Sequence, residues 1–327
     1  MKIVLLHTAE ALEPPADPVL DQLTDALRSL DHQVSRVAVD REVEPVVAAL
    51  RQATPELVVN VAESFRGKSA LESNVAALLN LMDLRYTGSS PAGLLLAGDK
   101  TLTKQVLRFH GILTPESATL YRGAVDWAGD LAFPVIVKPP QEDASLGITT
   151  ASVVHEIKDL FARIDALQTE YQQPVLVEQF IDGREFYVGV LGNLSAEALP
   201  VMELDFSGFP VDRPRVASWE AKWGEHGDGS GAEYAGTRSV FPTDLDPELG
   251  GRMQRVAIEA FEALRLRDYA RIDLRVTDGG EIYVIEVNPN CYLERSAEFA
   301  RAAERGGMNY QALIARIIQL AAARYAR

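Results

Sequence analysis

The sequence lacks several features that would settle its class at once. It holds one cysteine, Cys291, among 327 residues, so no disulfide can form within the chain and the fold cannot depend on one. It also lacks basic charge. Lysine and arginine total 32 against 47 aspartates and glutamates, a formal net charge of −15. A nucleic-acid backbone would be repelled unless a basic patch stood apart from that average, and no such run occurs. No stretch approaches the roughly 20 unbroken apolar residues of a membrane helix. The apolar start Ile3–Leu6 is broken by His7 and Glu10, well short of a signal-peptide core. Internal repeats and low-complexity segments are missing too. These absences predict a cytoplasmic protein with no nucleic-acid and no membrane partner.

What is present is a soluble, globular balance, 47% hydrophobic and 24% charged, in a chain long enough for two or three lobes. Residues 1–90 alternate strand and helix. Strands are predicted at Ile3–Leu6, Val34–Val39 and Leu57–Val61, and helices at Val19–Leu30, Val43–Arg51 and Leu71–Met82. Such a βαβαβα unit implies a parallel sheet with ligand groups at the strands' carboxyl ends. A middle segment, 91–183, carries a helix over Lys100–Phe109, a strand Pro134–Lys138, a helix from Ile157 and a strand Val175–Gln179. From 184 to 327 the pattern is strand-rich, with Glu185–Leu191, Leu199–Asp205, Tyr269–Val276 and Ile282–Val287 beside helices Pro247–Leu264 and Gln311–Tyr325. Between them, the aperiodic stretch 218–237 is too long for an ordinary connection and reads as a mobile lid or a disordered insert.

Four segments carry chemistry. Tyr269–Arg275 and Glu281–Asn288 are alternating strands joined by Asp278-Gly279-Gly280, a hairpin signal. A period of two puts Arg271 and Asp273 on one face of the first, and Glu286 and Asn288 on one face of the second. Pairing them gathers three oxygen ligands suited to Mg²⁺, with Arg271 beside them to neutralise a transferring phosphoryl group. On pattern alone, a solvated face with cross-strand ion pairs serves equally well. In Phe133–Pro140, Lys138 closes a buried β-branched strand, a costly place unless an anion meets it. The loop beyond it offers Ser145 and Gly147, whose amides can approach phosphate. A strand ending in a lysine and a plain turn is the alternative. Val175–Glu185 reads as strand, sharp bend and strand, with Glu178 and Glu185 flanking an apolar hinge able to take adenine and ribose, or as an ordinary hairpin with solvated acids. In Gly98–Lys104, Asp99 suits a helix cap, while Lys100 has no structural reason beyond solvation.

In this order the segments resemble the D-alanine–D-alanine ligase branch of the ATP-grasp superfamily. The resemblance runs through Leu84–Ser89, Asp99-Lys100 to Lys104, Pro134–Lys138, Val177–Glu185, Leu199–Glu203, Glu220–Lys222, Arg271–Asp273 and Glu286–Asn288. It implies α/β and α+β domains in an ATP-grasp architecture: an N-terminal parallel α/β domain (1–90), a small central lobe (91–183) and a larger C-terminal lobe (184–327) with the lid at 218–237. It implies ATP and two Mg²⁺ ions, with Mn²⁺ as a substitute. Lys100, Lys138 and Lys222 would meet phosphates. Glu178 and the backbone at Phe180 and Ile181 would hold adenine, and Glu185 ribose. Asp273, Glu286 and Asn288 would hold the metals. Arg271, Lys138 and Ser145 would serve catalysis of amide-bond formation through an acyl phosphate, and family habit implies a homodimer.

The departures from the family fall on the substrate pocket. The first strand leads into His7-Thr-Ala-Glu10 and a proline-rich turn instead of a glycine-rich one, leaving Glu10 or Glu13 as a displaced ammonium partner. A glycine-serine-serine loop is Asp143-Ala144-Ser145 here. A lid tyrosine is replaced by Trp223. The turn after the metal asparagine is Pro289–Ser296, where Ser296 retains a hydroxyl for a carboxylate. Glu63, Arg66 and Glu72 lie where the first domain would face a substrate, though a solvated loop explains them as well. Kept nucleotide positions with changed substrate positions predict an amino acid or small carboxylic acid other than D-alanine as substrate. D-Alanine–D-alanine ligation proper and a catalytically silent nucleotide-binding protein are the alternatives.

Overall fold

A computed structural model describes residues 1–9, 17–121, 124–127, 132–142, 145–223 and 236–326, with 124–127, 222 and 223 described through their backbone only. The first sheet is parallel, in the order β2-β1-β3, from β1 (Lys2–Thr8), β2 (Gln33–Val39) and β3 (Leu57–Val61). Helices α1 (Pro18–Ser29), α2 (Val43–Ala53) and α3 (Glu72–Leu81) provide its crossovers. Strand β1 reads as an unbroken apolar run because both its faces are covered. Ile3 and Leu5 enter one core with Leu23 and Leu27, while Val4 and Leu6 enter another with Leu50, Val58 and Leu79.

Two short helices follow, α4 (Pro91–Ala97) and α5 (Lys100–Phe109). Asp99 caps α5, its carboxylate accepting from the amides of Thr101 and Leu102. These helices precede the middle sheet in sequence, yet Ala97, Leu107 and Ile112 are buried with Phe186, Ile272 and Phe261 of the C-terminal lobe. The middle sheet has the order β5-β4-β8-β6-β7, from β4 (Ser117–Tyr121), β5 (Ala124–Trp127), β6 (Val135–Lys138), β7 (Val153–Val154) and β8 (Val175–Gln179), with α6 (Ile157–Tyr171) against it.

The last sheet has the order β12-β11-β9-β13-β14, with β10 (Glu197–Ala198) off its path beside β9. Its strands are β9 (Arg184–Gly192), β11 (Met202–Asp205), β12 (Arg238–Val240), β13 (Asp268–Val276) and β14 (Ile282–Pro289). Within the stretch expected to form a lid, residues 219–223 form α7 (Trp219–Trp223), and 224–235 lie outside the described residues. Helices α8 (Pro247–Ala263), α9 (Glu298–Arg305) and α10 (Tyr310–Tyr325) complete the lobe. Leu313, Ile317 and Ala321 of α10 share one core with Leu23 and Leu27 of α1, which welds the first domain to the last. No described helix is long and apolar enough to cross a membrane.

The segment around Phe180 is not a hairpin. Strand β8 belongs to the five-stranded sheet and β9 to the six-stranded one, so residues 180–183 carry the chain from one sheet to the other. Gly183 makes this passage possible. Its φ is +153°, and a Cβ there would stand 2.1 Å from the carbonyl oxygen of Val276.

Candidate active site

Strands β13 and β14 pair with Asp273 opposite Glu286 and Arg271 opposite Asn288, and the register shifts only beyond Asp273. Residues two apart on a strand face the same way, so these four side chains project from one face as two adjacent cross-strand pairs. Arg271 does not stand apart from the carboxylates. Its Nε and Nη2 donate to the two oxygens of Asp273 at 2.8 and 2.9 Å, its Nη1 lies 3.5 Å from Glu298, and its guanidinium sits over the Tyr187 ring at 4.8 Å. Burial works against the charge, but Asp273 and Glu298 outweigh it and hold the group firmly protonated.

Lys100 of α5 meets this face, while Lys138 and Lys104 gather on Glu178 of the middle sheet. Lys100, only 5% exposed, lies 2.9 Å from Glu286 and donates to the carbonyl of Glu142 at 2.6 Å. A solvated Lys100 is therefore ruled out. Lys138 reaches Glu178 at 2.5 Å, and Lys104 reaches the other oxygen of Glu178 at 2.7 Å while donating to Thr114 Oγ1 at 3.1 Å. Burial alone would raise the Glu178 pKa. The two lysines reverse that and bring it below the ordinary carboxylate value. Burial brings Lys104 down to about 8 against the pull of Glu178. Glu178 is thus a buried carboxylate between two cations, and its side chain is turned to lysines, not to a solvated surface.

A cleft runs between the two antiparallel sheets. Lys138, Ser145, Glu178, Glu185, Asp273 and Glu286 supply its polar wall. Ile136, Ile148, Phe180, Ile181, Val216 and Ile285 supply its apolar wall, a slot suited to a planar base. The amide of Phe180 is spent on the carbonyl of Pro134 at 3.0 Å. Any contact from Phe180 to a base would come from its ring or carbonyl, which narrows the backbone role expected there. Glu185 is buried, pairs with Arg275 at 2.9 Å and accepts from the Tyr187 hydroxyl at 3.1 Å. Ser145 adopts φ +62° and donates its hydroxyl to the carbonyl of Ala217, at the root of the expected lid.

The donor set fits a hard divalent cation. Asp273 and Glu286 lie opposite each other beside Asn288, whose amide nitrogen is turned to the carbonyl of Arg271 at 3.5 Å. Among the described residues no group of three His, Cys, Asp or Glu side chains is placed to hold a metal. The third candidate ligand is an amide oxygen, an uncharged partner of two carboxylates, and each carboxylate already faces a cation of the protein.

The residues expected at the substrate are scattered. Ser296 bonds back to the Glu294 carboxylate through its hydroxyl and is not on the wall of the cleft. Arg66, at φ +56°, donates to the carbonyl of Arg41 and stacks on Phe65. Glu63 lines a second cavity beside Asn290 and Tyr292. Glu72 Oε1 accepts from Asn290 Nδ2 at 3.5 Å. Glu10 and Asp143-Ala144 lie outside the described residues, as do the side chains of Lys222 and Trp223. Two charged residues of the site, one on the cleft wall and one behind it, escaped the sequence reading. Lys104 was visible only as a second lysine one helical turn after Lys100. Arg275 continues the period of two through Arg271 and Asp273, and that period was the available signal.

Residues 108–319 match the family described as D-ala D-ala ligase C-terminus. An uncharacterized protein, y4sG, from Sinorhizobium fredii is 31% identical over 316 residues, 95% of this chain and 89% of that protein. A D-alanine–D-alanine ligase from Aquifex aeolicus is 30% identical, covering 90% of this chain and 91% of the relative. The crystal structure of D-alanine–D-alanine ligase from Bacillus anthracis complexed with ATP superposes with a TM-score of 0.72 at 19% identity, over 98% of this chain and 97% of that one. The fold and the family match are those of an ATP-grasp, D-alanine–D-alanine ligase-like protein. The chain belongs to the D-alanine–D-alanine ligase C-terminus family.

Proposed function

We propose that this ATP-dependent ligase joins a carboxylate to an amine through an acyl phosphate, and that its substrate is an amino acid or small carboxylic acid other than D-alanine. In this reading the substrate carboxylate attacks the γ-phosphorus of ATP and ADP leaves. The amine then attacks the acyl carbon, and phosphate departs with one carboxylate oxygen. The observation that carries the reading is the meeting of Lys100 with Glu286, beside the cleft that Asp273 lines and that Lys138, held by Glu178 on the neighbouring strand, faces. Lys100 and Lys138 are the phosphate contacts, Asp273, Glu286 and Asn288 the Mg²⁺ ligands, and Arg271 the group facing charge that develops on the acyl carbon's oxygen. Bound Mg²⁺ would shield the triphosphate from the incoming carboxylate. It would also relieve the lysine and arginine that now neutralise Glu286 and Asp273, leaving them to substrate oxygens.

A screen of carboxylate and amine pairs for ADP release tests this directly. The expected result is substrate-dependent ADP and phosphate with no AMP. ATP bound but untouched by every pair would count against it. The similarity to D-alanine–D-alanine ligases favours a second reading, ligation of D-alanine itself. Turnover of D-alanine alone at a rate matching the best pair in the screen would establish that reading instead.

A further inference from the structure

Strands β9 and β13 pair with Tyr187 opposite Asp273 and Glu185 opposite Arg275. Residues two apart share a face, so Glu185 and Tyr187 stand on the face that carries Arg271, Asp273 and Arg275. Tyr187 is buried there and touches both ends of the row. The Arg271 guanidinium lies over its ring at 4.8 Å, and its hydroxyl donates to Glu185 Oε1 at 3.1 Å. The other oxygen of Glu185 accepts from Arg275, through Nε at 3.1 Å and Nη2 at 2.9 Å. Arg275 is fixed in turn by the carbonyls of Gly183 and Arg215. Packing explains the ring, which shares a core with Leu191, Met202 and Tyr269. It gives no reason for the hydroxyl, since a phenylalanine would fill the same space. Burial, then Glu185 and Asp273, push the pKa of that hydroxyl well up, so it stays a donor to the carboxylate. Arg271 also needs more than its fork. The bonds to Asp273 hold one edge of the guanidinium, and Glu298 lies 3.5 Å from Nη1. A fork leaves the plane free to tilt about that edge, and a ring against one face resists the tilt.

We infer that Tyr187 is a positioning residue for both ends of the site, its ring setting the plane of Arg271 and its hydroxyl setting the carboxylate of Glu185. The inference rests on the ligase reading above, in which Arg271 faces the acyl oxygen, and on Glu185 meeting the ribose of the nucleotide. Tyr187 does not line the cleft itself, so it acts through these two neighbours. One side chain then ties the grip on the nucleotide to the aim of the guanidinium.

Two substitutions separate the roles. Tyr187→Phe keeps the ring and removes the bond to Glu185, whereas Tyr187→Leu removes both. The readouts are calorimetric titration of the full chain with ADP and Mg²⁺, and kcat and KM for ATP with the best carboxylate and amine pair. Tyr187→Phe should weaken ADP binding by about fivefold or more and raise the KM for ATP in step, with kcat kept within about twofold. Tyr187→Leu should show the same loss of ADP affinity and a kcat lower by about tenfold or more. A merely structural role would lower stability in both variants without this split. Should Tyr187→Leu fail to fold, Tyr187→Met takes its place. Unchanged ADP affinity in Tyr187→Phe, or a kcat that falls equally in the two variants, would overturn the proposal. Parental kcat in Tyr187→Leu would remove the role of the ring and leave the ligase reading intact. With no ADP released by any pair, the ligase reading and the role of the ring fall together, and the ADP titration alone decides the role of the hydroxyl.

Discussion

Glu178 is a single carboxylate shared by Lys104 and Lys138 with almost no access to water. The trio carries one net positive charge at the wall of the cleft, placed to attract phosphate. Replacing Glu178 by Gln would leave two buried ammonium groups without their anion. We expect a loss of roughly 3–5 kcal/mol in stability by denaturant titration. Lys138→Ala should weaken ATP-analogue affinity by about tenfold or more, and unchanged affinity would remove Lys138 from the phosphate site. Lys104 also gives a pH signature. Its pKa falls from an ordinary 10.5 to about 8 on folding, so between those values the unfolded chain binds the extra proton and this group's contribution to stability rises with pH. The charge offered to phosphate is lost over the same range, so nucleotide affinity should decline as pH passes about 8. Lys104→Met should lack that step, and a step of equal size in the variant would assign it elsewhere. These roles were half legible in the sequence. Lys138 was marked by the cost of burying a lysine at a strand's end. The burial of Lys100 was not, because a lysine near a helix start gives no sign of what packs above it.

At the scale of elements, the β13–β14 hairpin explains why the functional side chains meet. Alternation and the Asp278-Gly279-Gly280 turn made that pairing readable from residues alone, and the register places Arg271, Asp273, Glu286 and Asn288 together. The ion pairs within the group could not be read, because alternation fixes a face and says nothing of which charges on it touch. Asp273→Asn should lower kcat/KM by roughly 100-fold and raise the Mg²⁺ concentration needed for half-maximal rate. A variant with an unchanged Mg²⁺ requirement would exclude Asp273 as a ligand. The passage between sheets hid its nature in sequence, since a strand–bend–strand pattern is common to hairpins and crossovers. Gly183 is the residue that decides it. Gly183→Ala meets the Val276 carbonyl and an unfavourable φ together, and should cost about 2 kcal/mol or more by denaturant titration. A variant as stable as the parent would mean that the passage relaxes freely.

Across the whole molecule, the first and last lobes are joined by polar as well as apolar contacts. Asp268 is fully buried, accepts from the amide of Gly88 at 2.8 Å and pairs with Arg324 of α10 at 2.7 Å. Asn290, just past β14, accepts from the amide of Ser89 at 2.8 Å. The β14 turn is therefore fastened to the first domain beside the second cavity. Such long-range fastenings leave no periodic trace in a sequence, which is why the residues around the second cavity were the least legible part. The central claim concerns the chemistry that this assembly performs. Its most direct measurement follows ¹⁸O from a labelled carboxylate substrate during turnover. One labelled oxygen should appear in the phosphate released per amide formed, as an acyl phosphate demands. Phosphate free of label, with the amide made and ATP consumed, would contradict the account.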